Sequence, residues 1–255
     1  KTLKDNGYFV AEDIINTGDL GAIQARERLL VRASKNRQPE ALTYDKSEPS
    51  DWYVALEDLI TREVQKNPLP KNEFTEVRRG RTRPSYIRAL DKKIKRLGGN
   101  KPMMHMGGNN TISVAGGPMN TLLAFQDKDT GLPKPQNLYI FVPDRNSDGS
   151  FKNMKVVDNT LVDGTAIYVT ADMYPRMMGL QDNARYPTDP NLARMLMGNG
   201  MQAAMTEKVI SPFLQTHGYI PSIEQTVQDI NSNDLKKKAD ESFFLDFWPR
   251  MIQRT

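Results

Sequence analysis

The pattern of apolar and polar positions changes period twice along the chain. In the first third it is helical. Over Asp19–Ser34, residues Leu20, Ile23, Leu29 and Leu30 recur at roughly helical spacing and predict a helix. Lys35–Pro49 is polar, holds two prolines and predicts an exposed connector. Ser50 then reads as the N-cap of a second helix. Its stripe is Trp52, Leu56, Leu59, Ile60 and Val64, with Glu57 and Arg62 outside it, and Asn67-Pro68-Leu69-Pro70 ends it. Pro84 before and Gly98-Gly99 after bracket a third helix. Ile87, Leu90, Ile94 and Leu97 form its buried edge, and Arg88, Lys92 and Lys95 fall on the solvent side.

The middle of the chain shortens its period. Thr111–Val114 predicts a strand, and Gly116-Gly117-Pro118 opens a predicted helix through about Gln126. Leu138–Val142, Met154–Val157 and Thr165–Thr170 are rich in β-branched and aromatic residues and predict three more strands. No helix intervenes between them, which favours an antiparallel sheet. The last third returns to helix. Asp189-Pro190 starts a segment reaching His217-Gly218, with breaks near Gly198-Asn199-Gly200 and Pro212. Ser222-Ile-Glu-Gln225 has the form of a capping box. Asp234–Trp248 carries Phe243, Phe244, Phe247 and Trp248 as an apolar anchor. Helices, then sheet, then helices predict one α+β domain over residues 1–255. In it, residues 1–100 are helical, and residues 101–255 hold a central, mainly antiparallel sheet flanked by helices.

Composition sharpens this picture at three points. A mean hydropathy of −0.60 with 26% charged residues describes a globular chain, and its apolar runs are strand-sized, so no membrane span is predicted. The absence of cysteine excludes disulfides, thiolate zinc sites and a cysteine nucleophile. The sequence begins at Lys1 rather than Met, and the expectation is a trimmed sequence whose targeting segment would precede Lys1.

Charge is the most informative of the three. Between Arg78 and Lys101 lie ten Lys/Arg and one acidic residue, Asp91, although the whole chain carries only +4. Such a concentration points to an anionic partner: a phosphate group, a nucleic acid or an acidic protein face. Arginine dominates before Pro84. A guanidinium fork holds phosphate or carboxylate bidentately, so Arg79, Arg81 and Arg83, with Arg88 on the helix that follows, are the predicted anion- or partner-binding residues. The competing reading is a solvated helix face beside an arginine loop. Tyr86 is the only aromatic residue in the run, and no RNA-binding or zinc-finger signature accompanies it, which counts against nucleic acid.

Other motifs resolve to simpler readings. Asp144-x-Asn146-x-Asp148-Gly149 matches the start of a calcium loop, but Lys155 stands where the bidentate Glu belongs, so a hairpin turn is predicted and no metal. The glycine pairs at 107–108 and 116–117 lack the Gly-Lys-Ser/Thr of a phosphate loop. His217 reads as structural at a helix end. Lys101 and His105 are the candidate catalytic pair: beside a phosphate-binding arginine set they could serve as base and acid in an elimination, against the reading of His105 as an ordinary loop histidine. The methionines read as core filler. No cofactor is implied.

The run Lys155-Val-Val-Asp-Asn-Thr-Leu-Val-Asp-Gly-Thr-Ala-Ile-Tyr-Val-Thr-Ala-Asp172 resembles the strand region of the HopA family of type III secreted effectors of plant-pathogenic bacteria. Phe213-Leu-Gln-Thr-His-Gly-Tyr-Ile-Pro221 is similar to that family's late helix, and Asn110-Thr-Ile-Ser-Val114 to a strand preceding both. The similarity spans roughly residues 110–225. It implies an α+β fold with a central antiparallel sheet, delivery into the host cell and its cytoplasm, and a virulence role through binding a host signalling protein, such as a plant immune regulator. It also implies an alternative, phosphothreonine- or phosphoserine-lyase chemistry on a phosphorylated side chain. The established lyases carry a Lys-x-His pair on a strand. Here that strand reads Asn-Asn-Thr-Ile-Ser-Val, which leaves Lys101 and His105 as displaced substitutes. The leading expectation is therefore a binding effector, followed by the lyase and then by nucleic-acid binding.

Overall fold

A computed structural model describes residues 2–70, 85–106, 111–122, 129–130, 132, 138–180 and 184–216. The fold is α+β. Its centre is a four-stranded, wholly antiparallel sheet in the order β4 (Ile112–Val114), β3 (Met103–His105), β5 (Tyr139–Pro143), β8 (Gly164–Tyr168). Side chains alternate across each strand, so the sheet has two apolar faces and each must be covered.

The first face presents Met104, Ile140 and Ile167. Helix α1 (Trp52–Lys66) covers it with Trp52, Tyr53, Leu56, Leu59 and Ile60, joined by Met173, Tyr174 and Met177 of α3 (Met173–Met177). The second face presents Met103, Ile112, Phe141 and Ala166. Helix α2 (Ser85–Leu97) lies over it through Ile87, Leu90 and Ile94, beside the hairpin of β6 (Lys155–Val157) and β7 (Thr160–Val162), which contributes Val156 and Leu161. Burying each large apolar side chain contributes roughly 1.5–3 kcal/mol. The Lys95–Asp91 pair, an exposed lysine on a buried carboxylate with nitrogen and oxygen 3.1 Å apart, has the i,i+4 helix spacing of pairs worth about 0.3–0.5 kcal/mol. Packing therefore fixes α2 on the sheet.

The stripes of α1 and α2 lie as their spacing predicts, except that Leu97 is 50% exposed at the end of α2. The cap of α1 is Asp51 rather than Ser50. One Asp51 oxygen accepts from the Tyr53 amide at 3.0 Å and the other from the Gly116 amide at 3.0 Å, while the Ser50 hydroxyl donates to the Gly21 carbonyl. A single carboxylate thus caps the helix and anchors the loop after β4.

The structure overturns the predicted helix over Asp19–Ser34. These residues belong to an antiparallel hairpin, β1 (Phe9–Asn16) with β2 (Glu27–Ser34). Thr17 closes its loop: the hydroxyl donates to the Gln24 carbonyl at 2.6 Å and accepts from the Arg26 amide at 3.1 Å. Leu29 and Leu30 then point to opposite faces, which a helical reading cannot represent. The helix predicted from Gly117-Pro118 is also not formed over its described residues, 117–122. Met119 is held in extended form against the hairpin loop, donating to the Ile23 carbonyl at 2.7 Å and accepting from the Ala25 amide at 3.1 Å.

Of the four predicted strands, three join the central sheet. Met154–Val157 instead pairs with Thr160–Val162 across an Asp158-Asn159 turn, where both residues have positive φ, 47° and 61°, as a tight two-residue hairpin demands. Met103–His105 takes a central place in the sheet. Asp144–Gly149 is the predicted turn, closed by the Asn146 amide on the Ser150 carbonyl at 2.8 Å and by Gly149 at a φ of 84°. Helix α4 (Pro190–Asn199) is capped by Asp189 and ends at Gly200 as expected. It is followed by α5 (Ala203–Met205) and by a wide helical turn over Thr206–Ile210 just before Pro212. The chain divides into two compact units, Lys1–Val209 and Ile210–Thr255. The described portion of the second is α6 (Ser211–Thr216). The features predicted at His217-Gly218, Ser222–Gln225 and Asp234–Trp248 lie outside the described residues. No described helix is long and apolar enough to cross a membrane.

The junction of α2 with the β6–β7 hairpin leaves no room for a side chain at Gly99. A Cβ there would lie 1.9 Å from the Met154 carbonyl oxygen, whereas one at Gly117 meets nothing within 4 Å. Gly99→Ala should therefore destabilise the protein by about 1–3 kcal/mol and Gly117→Ala by much less, as read from urea unfolding midpoints. Equal effects would show that α2 is not seated this closely.

Candidate functional site

Helix α2 is amphipathic, and its outer half is basic. Arg88, Lys92, Lys95 and Arg96 are all exposed. Arg88, Lys92 and Arg96 recur every four residues, about 6 Å apart along the axis, and Lys95 lies three residues after Lys92, so all four share one side of the helix. The helix has one acidic residue, Asp91, which is buried and accepts from Lys95 at 3.1 Å. Asp91 thus holds Lys95, and no other carboxylate on α2 competes for Arg88, Lys92 and Arg96. Alongside, the outer face of the β6–β7 hairpin adds Lys155, paired with Asp163 at 3.7 Å, and the 47%-exposed Val157. Among the described residues this surface is the outer face of a helix beside a hairpin.

The other predicted site residues do not gather on it. Arg79, Arg81 and Arg83 lie outside the described residues. Lys101 is exposed just before β3, its ammonium beside Gly116 at one end of the β3–β4 ladder. His105 is the last residue of β3, at the opposite end of that ladder. It is 4% exposed, with its ring 6.1 Å from the Tyr139 ring. Four residues of extended chain separate the two by about 13 Å, and the Lys101 ammonium is turned toward Gly116. A base and an acid acting on one substrate must both reach it within hydrogen-bond distance. The structure brings Arg88 into the basic face and does not bring Lys101 and His105 together.

The calcium-like turn is satisfied internally. Asp148 accepts from the Ser150 hydroxyl and amide, which holds its carboxyl below the usual range. Among the described residues no group of His, Asp and Glu could hold a metal ion.

Several charges between α1 and α3 are matched in pairs. Arg62 donates to Asp172 and to Glu63, Asn67 donates to Glu63, Thr170 donates to Asp172, and Arg176 donates to Asp58. These bonds tie α1 to α3 and the segment before it. Burial opposes ionisation of Asp172, yet the hydrogen bonds from Thr170 and Arg62 outweigh it and hold the carboxyl below its ordinary value. Sequence reading missed this network because its partners are about a hundred residues apart in the chain. The available signals were Arg62 outside the apolar stripe and Asp172 at a strand end.

No family model matches the chain, and no curated protein matches it. Among solved structures it is similar to a methyltransferase of Entamoeba histolytica, with 13% identity and a TM-score of 0.46 over 84% of this chain and 56% of that one. The chain thus spans little more than half of that protein's length. A likeness this distant assigns no activity.

The Asp172 network has a pH signature. Its folded pKa is depressed, so its stabilisation is complete above the unfolded value of about 3.9 and is lost as pH falls through the folded value. Asp172→Asn should lower the thermal midpoint at pH 7, and the gap from the wild type should shrink below about pH 4. A gap that stays constant down to acid pH would remove the carboxylate from the network.

Proposed function

We propose that this chain is a binding protein whose α+β domain docks an acidic face of a partner protein through the outer side of α2. The observation that carries the reading is the exposed row Arg88, Lys92 and Arg96 on the outer face of α2, where the one carboxylate, Asp91, is engaged by Lys95. Such a face has the form of a docking surface, since a catalytic site needs converging groups in a concave, water-excluding setting. Charges of this kind steer association and select partners more than they add raw affinity. The resemblance to HopA effectors supplies the setting: a virulence protein translocated into the host cell, meeting a host signalling or immune protein in the host cytoplasm.

The lyase reading rests on Lys101 and His105, and their separation counts against it. With a phosphothreonine peptide, the purified protein should yield no product lighter by one water than the dephosphorylated peptide. Elimination that is lost in both Lys101→Ala and His105→Ala would overturn the binding reading.

The surface itself is tested with Arg88→Glu, Lys92→Glu and Arg96→Glu combined, sparing Lys95 because it bonds Asp91. Exposed charges contribute little to folding, so the melting temperature should hold within a few degrees. Affinity for a labelled oligoglutamate peptide should fall about tenfold or more, as three lost surface pairs imply, and its salt dependence should flatten. Unchanged affinity would eliminate α2 as the docking face. Tighter binding to single-stranded nucleic acid than to the acidic peptide would change the partner class.

A further inference from the structure

On the α1 side of the sheet, opposite α2, a cleft of ≈ 230 Å³ opens between α1 and the end of β5. This is smaller than the roughly 300–1,000 Å³ of pockets for drug-sized ligands, so its natural occupant has the size of one side chain. The floor is aliphatic: Ile60 and Val64 from α1, Val142 and Pro143 from β5. Its polar lining comprises Thr61, Gln65, Asp144 and Thr165, together with Tyr53 and Arg145.

The charged groups of the cleft differ in what already holds them. The Arg145 guanidinium is committed: it donates to Glu57 at 3.3 Å and to the Gly149 carbonyl at 2.9 Å, and it lies 4.3 Å over the Phe151 ring. The Tyr53 hydroxyl bonds within the same Glu57–Arg145 pair. Asp144 is different. Its side chain accepts from the Thr165 hydroxyl at 3.4 Å, a long bond, and no cation pairs with it among the described residues. The cleft therefore joins an aliphatic floor to one half-buried carboxylate that no described cation pairs, bonded to the Thr165 hydroxyl, with Thr61 and Gln65 on the exposed α1 wall of the same cleft.

We propose that this cleft binds a primary ammonium on an unbranched aliphatic stem, the chemistry of a lysine side chain. The stem covers Ile60, Val64 and Val142, and the ammonium, with three donors, meets Asp144 and Thr165 and one further oxygen of the α1 wall, from Thr61 or Gln65. A guanidinium suits the site less well, because its planar fork calls for paired acceptors in one plane. Carboxylate ligands meet Asp144 and find Arg145 already engaged. The site does not depend on the basic face of α2, and either proposal stands if the other fails.

The test is a titration followed by amide NMR at constant ionic strength, with n-pentylammonium and Nα-acetyl-lysine N-methylamide as ligands and 1-pentanol and hexanoate as controls. Saturable shifts are expected at Thr61, Gln65, Asp144 and Thr165 with both amines and with neither control. Tighter binding of the lysine derivative would assign the cleft to a lysine on a partner chain, and tighter binding of pentylammonium to a free amine; both outcomes support the proposal. Asp144→Asn should weaken binding about tenfold or more, as loss of a charge-assisted bond implies. Thr61→Lys, on the exposed side of α1, should abolish it by placing the protein's own ammonium in the cleft, and it decides the matter alone if Asp144→Asn unfolds. Equal binding of 1-pentanol, unchanged affinity in a folded Asp144→Asn variant, or no saturable shift would overturn the assignment.

Discussion

Everything in the first compact unit follows from one constraint: the two inner strands of a small sheet have no polar face. Neighbouring residues Met103 and Met104 point to opposite sides of β3, and both are fully buried, as are Ile140 and Phe141 on β5. A sheet apolar on both faces is stable only between two layers. That requirement recruits α1 and α3 to one side and α2 with the β6–β7 hairpin to the other. It also fixes what α2 can offer to solvent. Once Ile87, Leu90 and Ile94 face the sheet, the helical period turns Arg88, Lys92, Lys95 and Arg96 outward. The same constraint encloses His105. It shares a strand face with Met103, and so lies beneath that covering layer, beside Tyr139, rather than in an open cleft.

The two covering layers are built on different electrostatics. On the α1 side, acids and bases alternate between elements, and Arg62, Glu63, Asp172, Arg176 and Asp58 neutralise one another across α1 and α3. Asp51 performs a related task without a cation, its carboxylate accepting from two backbone amides of separate segments. On α2 the one acid is buried and tied to Lys95, and Arg88, Lys92 and Arg96 face water. Exposed cations of this kind on one element do little for stability. The row's effect is on what approaches from solvent.

The sequence disclosed the layers better than the connections between them. α1 and α2 were legible because each buries one stripe over several turns, and β5 and β8 because their apolar runs are too short for helices. The β1–β2 hairpin was misread because Leu20, Ile23, Leu29 and Leu30 fit a helical spacing by coincidence. What decides their conformation is Thr17 binding across the loop to Gln24 and Arg26, a tertiary closure with no periodic signature. Met103–His105 went unseen as a strand because three residues carry no period, and only the flanking strands define it. Of the site, Arg88 was correctly placed on a solvent face. The pairing of Lys101 with His105 assumed that nearness along the chain becomes nearness in space, and an extended strand is the conformation that defeats that assumption.

A lysine and a histidine four positions apart would share a side of a helix, but on a strand they stand more than twice as far apart. Here the strand is central, so the histidine is paired through its backbone to neighbours on both sides, at Ile112 and Tyr139. Bringing its ring to the Lys101 end of the ladder would require breaking both ladders. The sheet that gives α2 its foundation is thus the same structure that keeps Lys101 and His105 apart.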